Sequence, residues 1–197
     1  MMPSAADIVR HHDSDPLENP WVDGQPPPPE RIEVHDYDPR WPELYRHLAR
    51  RIGDALGGLA LEIAHVGSTA VPGLAAKPVI DIDLTVADPR QEEAYVPALE
   101  GLGYRLRIRE PSWHQHRCLQ LESPRVNLHV FGPDCPETIR HRLFRDWLRE
   151  NAEDRESYAV VKRASADGEQ WVADYNRRKE PLIRAIYARA FAAAGLI

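Results

Sequence analysis

Two apolar periods alternate along the chain and divide it into elements. Arg31-Ile-Glu-Val-His35 alternates with period two and predicts a strand. Pro42 stands where a first-turn proline belongs, and Leu44, Tyr45, Leu48, Ile52 and Leu56 then recur at helical spacing until Gly57 and Gly58 end the helix. Leu61 to Val66 is a short β-rich run, and Val79 to Val86 is apolar enough to be a buried strand. Gln91 to Leu102 fits a helix closed by Gly101 or Gly103. Tyr104 to Arg109, His114 to Leu121 and Arg125 to Phe131 read as three further strands, with Ser123-Pro124 turning between the last two. The remainder is helical. Thr138 is the expected N-cap of a helix whose apolar face is Ile139, Leu143, Phe144, Trp147 and Leu148. A second helix starts within Tyr158 to Ala166, and Tyr175 to Ala194 closes the chain with Gly195 as its cap. A helix, a mixed sheet and a helical last third give an α+β (mixed α/β) class.

This pattern begins near Ile32, so one domain is expected over 31–197. Residues 1–30 are polar and proline-rich and end in Pro26 to Pro29, where neither a helix nor a central strand forms; they read as a disordered tail. His11 and His12 lie in that tail and are read as no metal pair.

Charge and cysteine content narrow the function classes. There are 25 Lys plus Arg against 31 Asp plus Glu, a net charge of −6, which argues against a broad surface for duplex nucleic acid while leaving room for a local basic cleft. Cys118 and Cys135 make neither a metal-ligand spacing nor a disulfide framework. No apolar run has the length of a membrane span, and the first residues lack a secretory pattern, so the expectation is cytoplasmic, with no membrane partner. The oligomeric state is not legible.

The chemistry concentrates in His65-Val-Gly-Ser-Thr-Ala-Val-Pro-Gly-Leu-Ala-Ala-Lys-Pro-Val-Ile-Asp-Ile-Asp-Leu84. Gly67 and Ser68 open a turn that lets backbone approach a ligand, where N–H groups cradle phosphate and the Ser68 and Thr69 hydroxyls add donors. On the following strand Asp81 and Asp83 are two residues apart, so both carboxylates share one face while Ile80, Ile82 and Leu84 share the other. Like charges this close repel, and a divalent cation, Mg²⁺ or Mn²⁺, removes the conflict while binding substrate phosphates. Such a centre serves phosphoryl or nucleotidyl transfer. Taken singly, an Asp-x-Asp or a Gly-Ser is commonplace; their order and spacing are far more specific.

Gly-Ser followed by Asp-h-Asp-h, with h apolar, resembles the nucleotidyltransferase superfamily of polymerase-β-like fold. The longer block from His65 through Pro78, with Val79-Ile-Asp-Ile82, is similar to the GrpB family, a set of mostly uncharacterised bacterial proteins. Tyr37-Asp-Pro-Arg-Trp41, Asn127-Leu-His-Val-Phe131, Phe144-Arg-Asp-Trp-Leu148, Tyr158 with Lys162 and Tyr175 with Lys179 resemble its other blocks, and the likeness spans roughly 32–195. The resemblance implies a small mixed sheet flanked by helices, with the Gly-Ser turn facing the aspartate strand across a cleft. It implies a nucleoside triphosphate as substrate, Asp81 and Asp83 as metal ligands, and a small-molecule acceptor attacking the α-phosphorus. Active members of the superfamily use a third carboxylate on a later strand. Here that strand, Arg125 to Phe131, has none; Asn127 and His129 stand there, with His129 the chosen catalytic candidate and Glu122 a lesser substitute. The missing carboxylate keeps two alternatives open, a non-catalytic nucleotide- or metabolite-binding protein and an adenylate-forming ligase.

Other side chains remain candidates. Lys77 precedes the aspartate strand and is within reach of a phosphate. His114, His116 and His129 would form a Zn²⁺ or Mn²⁺ site if all three imidazoles converged, with Arg109 and Arg117 adding positive charge beside them. In the family reading Arg145, Lys162 and Lys179 point into the cleft and hold the triphosphate. Trp113, Trp147 and Trp171 stack on a base or, more simply, pack in the core.

Overall fold

The computed structural model describes residues 2–12, 17–166 and 168–197. Its centre is a five-stranded sheet of β2 (Glu62–Val66), β3 (Ile80–Thr85), β6 (Val126–Phe131), β5 (His116–Leu121) and β4 (Arg105–Glu110), in that spatial order. β3 and β6 are parallel and the other pairs antiparallel. Helices α2 (Trp41–Leu56) and α3 (Glu92–Glu100) cover one face; α4 (Pro136–Glu150), α5 (Ala152–Ser165) and α6 (Val172–Ala193) form the helical last third. The α+β class follows directly from that arrangement.

The two faces of the sheet differ because strand side chains alternate. Ile80, Ile82, Leu84, Leu119, Val126, Leu128 and Val130 pack with Leu48, Ile52 and Leu56 of α2 and Tyr95 and Leu99 of α3. Full burial of each such side chain contributes about 1.5–3 kcal/mol. The alternate positions are polar: Asp81 pairs across to Asn127 and Asp83 to His129 in register. A polar face inside a protein needs partners; α4 supplies one, His141 to Asp83, and α5 and α6 close over the cleft that remains. These helices cohere through their own core of Val71, Leu74, Leu148, Tyr158 and Ile186.

Several boundaries depart from the sequence-based expectations. Arg31 to His35 is no continuous strand: β1 is only Glu30–Arg31, paired antiparallel with β7 (Glu169–Gln170), and His35 bridges Ala76. α5 begins at Ala152, well before Tyr158, and α6 begins at Val172. Thr138 is not the cap of α4. Cys135 is, because Pro136 takes the first-turn position that a missing N–H suits, and the Thr138 hydroxyl donates to the Cys135 carbonyl at 2.9 Å.

Within the expected tail, Ala5–Val9 form helix α1, with Ser4 and Asp7 making a reciprocal capping box. Ile8 is buried against Tyr187 and Phe191. The buried Arg140 guanidinium donates to the carbonyls of Ile8 and Arg10, both at 2.8 Å, and lies over the Tyr187 and Phe191 rings. Composition hid this, since the anchor is a cation more than a hundred residues downstream. Further along, Val22 N–H donates to the Arg107 carbonyl at 2.9 Å and Arg109 N–H to the Pro20 carbonyl at 2.9 Å, so this segment also covers the β4 edge.

Candidate functional site

Where β2 ends, the chain turns at Gly67 into a short 3-10 turn, Ser68–Ala70. Gly67 has φ +68°, and a Cβ there would collide with the Asp81 carboxylate. The turn is thus pressed against the aspartate strand, and only a residue without a side chain permits it. α4 clamps the same turn: Arg145 Nη1 donates to the His65 carbonyl at 2.9 Å, and Arg149 Nη2 to the Ala70 carbonyl at 2.8 Å.

A cleft of about 340 Å³ opens over this junction. Gly67, Ser68, Asp81, Asn127, His129 and His141 line its floor, and Lys77, Lys162, Tyr175 and Lys179 line its walls. Asp81 stands at the centre. Asn127 Nδ2 donates to its Oδ1 at 2.9 Å, and Gln120 Nε2 in turn donates to Asn127 Oδ1 at 3.1 Å. Burial pushes the Asp81 carboxyl above the usual range, opposed by the Asn127 hydrogen bond and by the charges of His141 and Lys162.

Asp83 occupies a different position. It is 3% exposed, does not line the cleft, and accepts from His141 Nδ1 at 2.9 and 3.1 Å. Burial would lower the His141 imidazole, but the Asp83 charge and hydrogen bond outweigh it and hold the group above its ordinary value. The two aspartates share a strand face, yet one serves the cleft and the other serves a histidine.

The lysines settle the charge of the walls. Lys162 is 2% exposed, and its Nζ has no hydrogen-bond partner; it lies 5.1 Å from the Tyr158 ring centroid. Burial, then the neighbouring Lys179 charge, drive its ammonium well below the ordinary range. Lys179 Nζ sits 3.8 Å from the Tyr175 ring centroid, and burial lowers it to about 8 against the attraction of Asp81. The Tyr175 hydroxyl is also buried without a partner, and burial raises it to about 12. Each lysine follows its tyrosine by four residues on a helix, which stacks the pair on one face.

Histidines form a second line across the sheet. His116 Nδ1 is 2.7 Å from Glu110 Oε2, and His116 Nε2 is 3.0 Å from His129 Nδ1. Burial, with the charges of His116 and His141, keeps His129 well below its ordinary value. His114 is not part of this line. It is exposed in a turn with φ +54°, before β5 starts at His116. The expected trio of His114, His116 and His129 is therefore corrected: His141, from α4, is the third imidazole near the cleft, 6.2 Å from His129 between ring centroids. Among the described residues no group of three or more His, Cys, Asp or Glu side chains is placed to hold a metal ion.

The remaining candidates are placed as follows. Thr69 is buried; its hydroxyl donates to the Val79 carbonyl at 3.1 Å and meets His65 Nε2 at 3.1 Å, so it faces away from the cleft. Arg145 is turned to the His65 carbonyl and to Asp146. Lys77 lines the cleft while pairing with Glu30 at 2.5 Å, and Arg125 holds the same carboxylate at 2.9 Å. Burial raises Glu30, but Arg125 and Lys77 together leave it below the usual carboxylate range. Trp113 packs on His116 and Phe131, Trp147 packs with the helical core, and Trp171 caps α6. His141, Tyr175 and Asn176 also line the cleft; the family resemblance points to Tyr175 through its block with Lys179, whereas nothing local marks His141.

The shape and the motif have counterparts. The family model described as GrpB protein matches residues 31–189. The chain is 49% identical over 160 residues to UPF0157 protein BH1888 of Halalkalibacterium halodurans, covering 81% of this chain and 82% of that protein. It is 45% identical to UPF0157 protein SCO7215 of Streptomyces coelicolor, over 84% of this chain and 88% of the other. A protein named dephospho-CoA kinase in Mycolicibacterium paratuberculosis is 33% identical over 183 residues, 78% of this chain but 44% of that longer one. The crystal structure of conserved protein GrpB from Enterococcus faecalis superposes with a TM-score of 0.72 at 28% identity, covering 82% of this chain and 99% of that one. By the family model and by these relatives, the chain belongs to the GrpB family.

Proposed function

We propose that this protein binds a phosphorylated small molecule of the nucleotide class in the cleft between the Gly67-Ser68 turn and α6. The observation that carries this reading is Lys162: a buried amine with no hydrogen-bond partner, lining a cleft beside a second buried lysine. An unpaired buried polar group costs about 1–3 kcal/mol. A polyanion entering the cleft supplies the missing acceptors, and the ammonium form of both lysines becomes favourable at once. The Gly67-Ser68 backbone lies where the phosphates would rest.

The Mg²⁺ or Mn²⁺ centre implied by the superfamily does not fit the residues present. A hard divalent ion asks for several oxygen ligands, and among the described residues Asp81 is the one carboxylate lining the cleft. Asp83 is committed to His141, and the third place holds Asn127 and His129. Two buried lysines, Lys162 and Lys179, stand where metal charge would be needed, and an entering polyanion makes both ammonium ions.

A second reading, transfer of a nucleotidyl group to a protic acceptor, is favoured by one observation: Asp81 sits directly against the glycine turn with two imidazoles at the same floor. An adenylate-forming ligase would use the same floor.

Thermal unfolding with ATP, ADP and pyrophosphate, each with Mg²⁺ and with EDTA, tests the binding reading, since a ligand of the native state raises the midpoint. Stabilisation that survives EDTA and disappears in Lys162→Met is expected; no shift with any polyphosphate overturns it. Release of pyrophosphate from α-labelled nucleotide across hydroxyl and amine acceptors then separates transfer from binding alone.

A further inference from the structure

We propose that His129 is the proton acceptor of the cleft, and that Glu110 and His116 are positioning residues that keep its Nε2 unprotonated. The inference rests on the cleft being the ligand site, but its geometry is independent of which ligand binds.

The three groups lie on adjacent strands. Glu110, on the edge strand β4, is directly opposite His116 on β5, and His116 is diagonal to His129 on β6, whose direct partner is Cys118. The hydrogen bonds have only one consistent direction while Glu110 is ionised and His116 neutral. A carboxylate accepts only, so the 2.7 Å contact makes His116 Nδ1 the donor. A neutral imidazole carries one proton, so His116 Nε2 is an acceptor. The 3.0 Å contact then makes His129 Nδ1 the donor. His129 Nε2 is left with its lone pair, on a ring that lines the cleft. The titratable groups around it are His116 from β5, Asp83 opposite it in register on β3, and His141 from α4, whose Nδ1 Asp83 holds; Asp81, Lys162 and Lys179 line the same cleft.

The same order gives the proton a way out. When a hydroxyl or amine in the cleft gives its proton to His129 Nε2, the Nδ1–H bond of His129 breaks and that proton passes to His116 Nε2. His116 becomes an imidazolium; its Nδ1–H bond then breaks, the proton passes to the Glu110 carboxylate, and Glu110, whose side chain is 23% exposed at the sheet edge, releases it to water. The ligand keeps the electron pair of its broken bond. Its class is therefore a proton-bearing nucleophile rather than a preformed anion such as a carboxylate.

Long-range ¹H–¹⁵N NMR of the ligand-free protein at neutral pH reads the tautomers directly, with His129→Gln and His116→Gln used to assign the signals. His129 and His116 are expected as Nδ1–H tautomers with unprotonated Nε2. Glu110→Ala should release the lock, so that the Nε2–H form grows in both rings while amide signals outside β4 to β6 stay in place. An Nε2–H tautomer of His129 in the unaltered protein overturns the proposal, and so does a folded Glu110→Ala whose imidazole signals do not move. Should that variant fail to fold, the unaltered protein decides alone. Because no ligand is present, a failure here is distinct from a failure of polyphosphate to bind.

Discussion

His141 Nδ1 lies 2.9 Å from Asp83 Oδ2, joining α4 to β3 beneath the cleft floor. The pair explains why two aspartates on one strand face do not act as a unit. It also makes a pH prediction with a definite sign. His141 is held above its ordinary value of about 6.5, so the stabilisation it provides is complete below that pH and is lost as pH rises through the raised value. Asp83→Asn should therefore cost about 1–3 kcal/mol at pH 6 and distinctly less at pH 9. Urea unfolding at the two pH values measures the difference; an equal loss at both would show that the ion pair contributes nothing.

Gly67→Ala should be worse than a surface glycine change. The left-handed backbone alone costs about 1–2 kcal/mol for an L-residue, and the added methyl must displace the Asp81 carboxylate or the turn. The expected result is a loss of about 2 kcal/mol or more together with loss of polyphosphate binding. Gly58→Ala, where a Cβ meets open space, is the control and should leave binding intact.

Binding of a polyanion should take up protons near pH 8. Burial lowers Lys179 to about 8 and drives Lys162 well below its ordinary range. Anion binding favours both ammonium forms. Calorimetry in two buffers of different ionisation enthalpy should report net uptake, and affinity should fall as pH rises above 8. Proton release, or affinity independent of pH, contradicts the lysine walls.

Much of this fold was legible because strands and amphipathic helices announce their faces. Asp81 and Asp83 were placed on one face by period two alone, and Ile80, Ile82 and Leu84 on the other, as observed. The family resemblance located Lys162 and Lys179, and both line the cleft. What stayed hidden depends on distant contacts. The commitment of Asp83 to His141 is made across 58 residues, and no local pattern on α4 marks that histidine. Thr69 and Arg145 looked like ligand groups because hydroxyls and guanidiniums suit phosphate, yet carbonyls of the chain itself take both. Period two carried back from β5 includes His114, but its positive φ places it in the preceding turn.

The N-terminal helix offers a separate test. Arg140 holds it through two carbonyl hydrogen bonds and lies between it and the aromatic rings of α6. Arg140→Ala should cost about 2–4 kcal/mol and expose residues 2–12 to exchange. Hydrogen–deuterium exchange should show fast labelling there with β3 and β6 still protected. Unchanged protection at 2–12 would mean that the packing of Ile8, Val9 and His11 holds the helix without Arg140.

Titration calorimetry of inorganic pyrophosphate in excess EDTA, into the unaltered protein and into Lys162→Met, bears most directly on the cleft. Metal-independent binding by the former, weakened at least tenfold in the latter, is the expected result. Binding that appears only when Mg²⁺ is restored, and is indifferent to Lys162, would contradict it and return the site to a carboxylate-held metal.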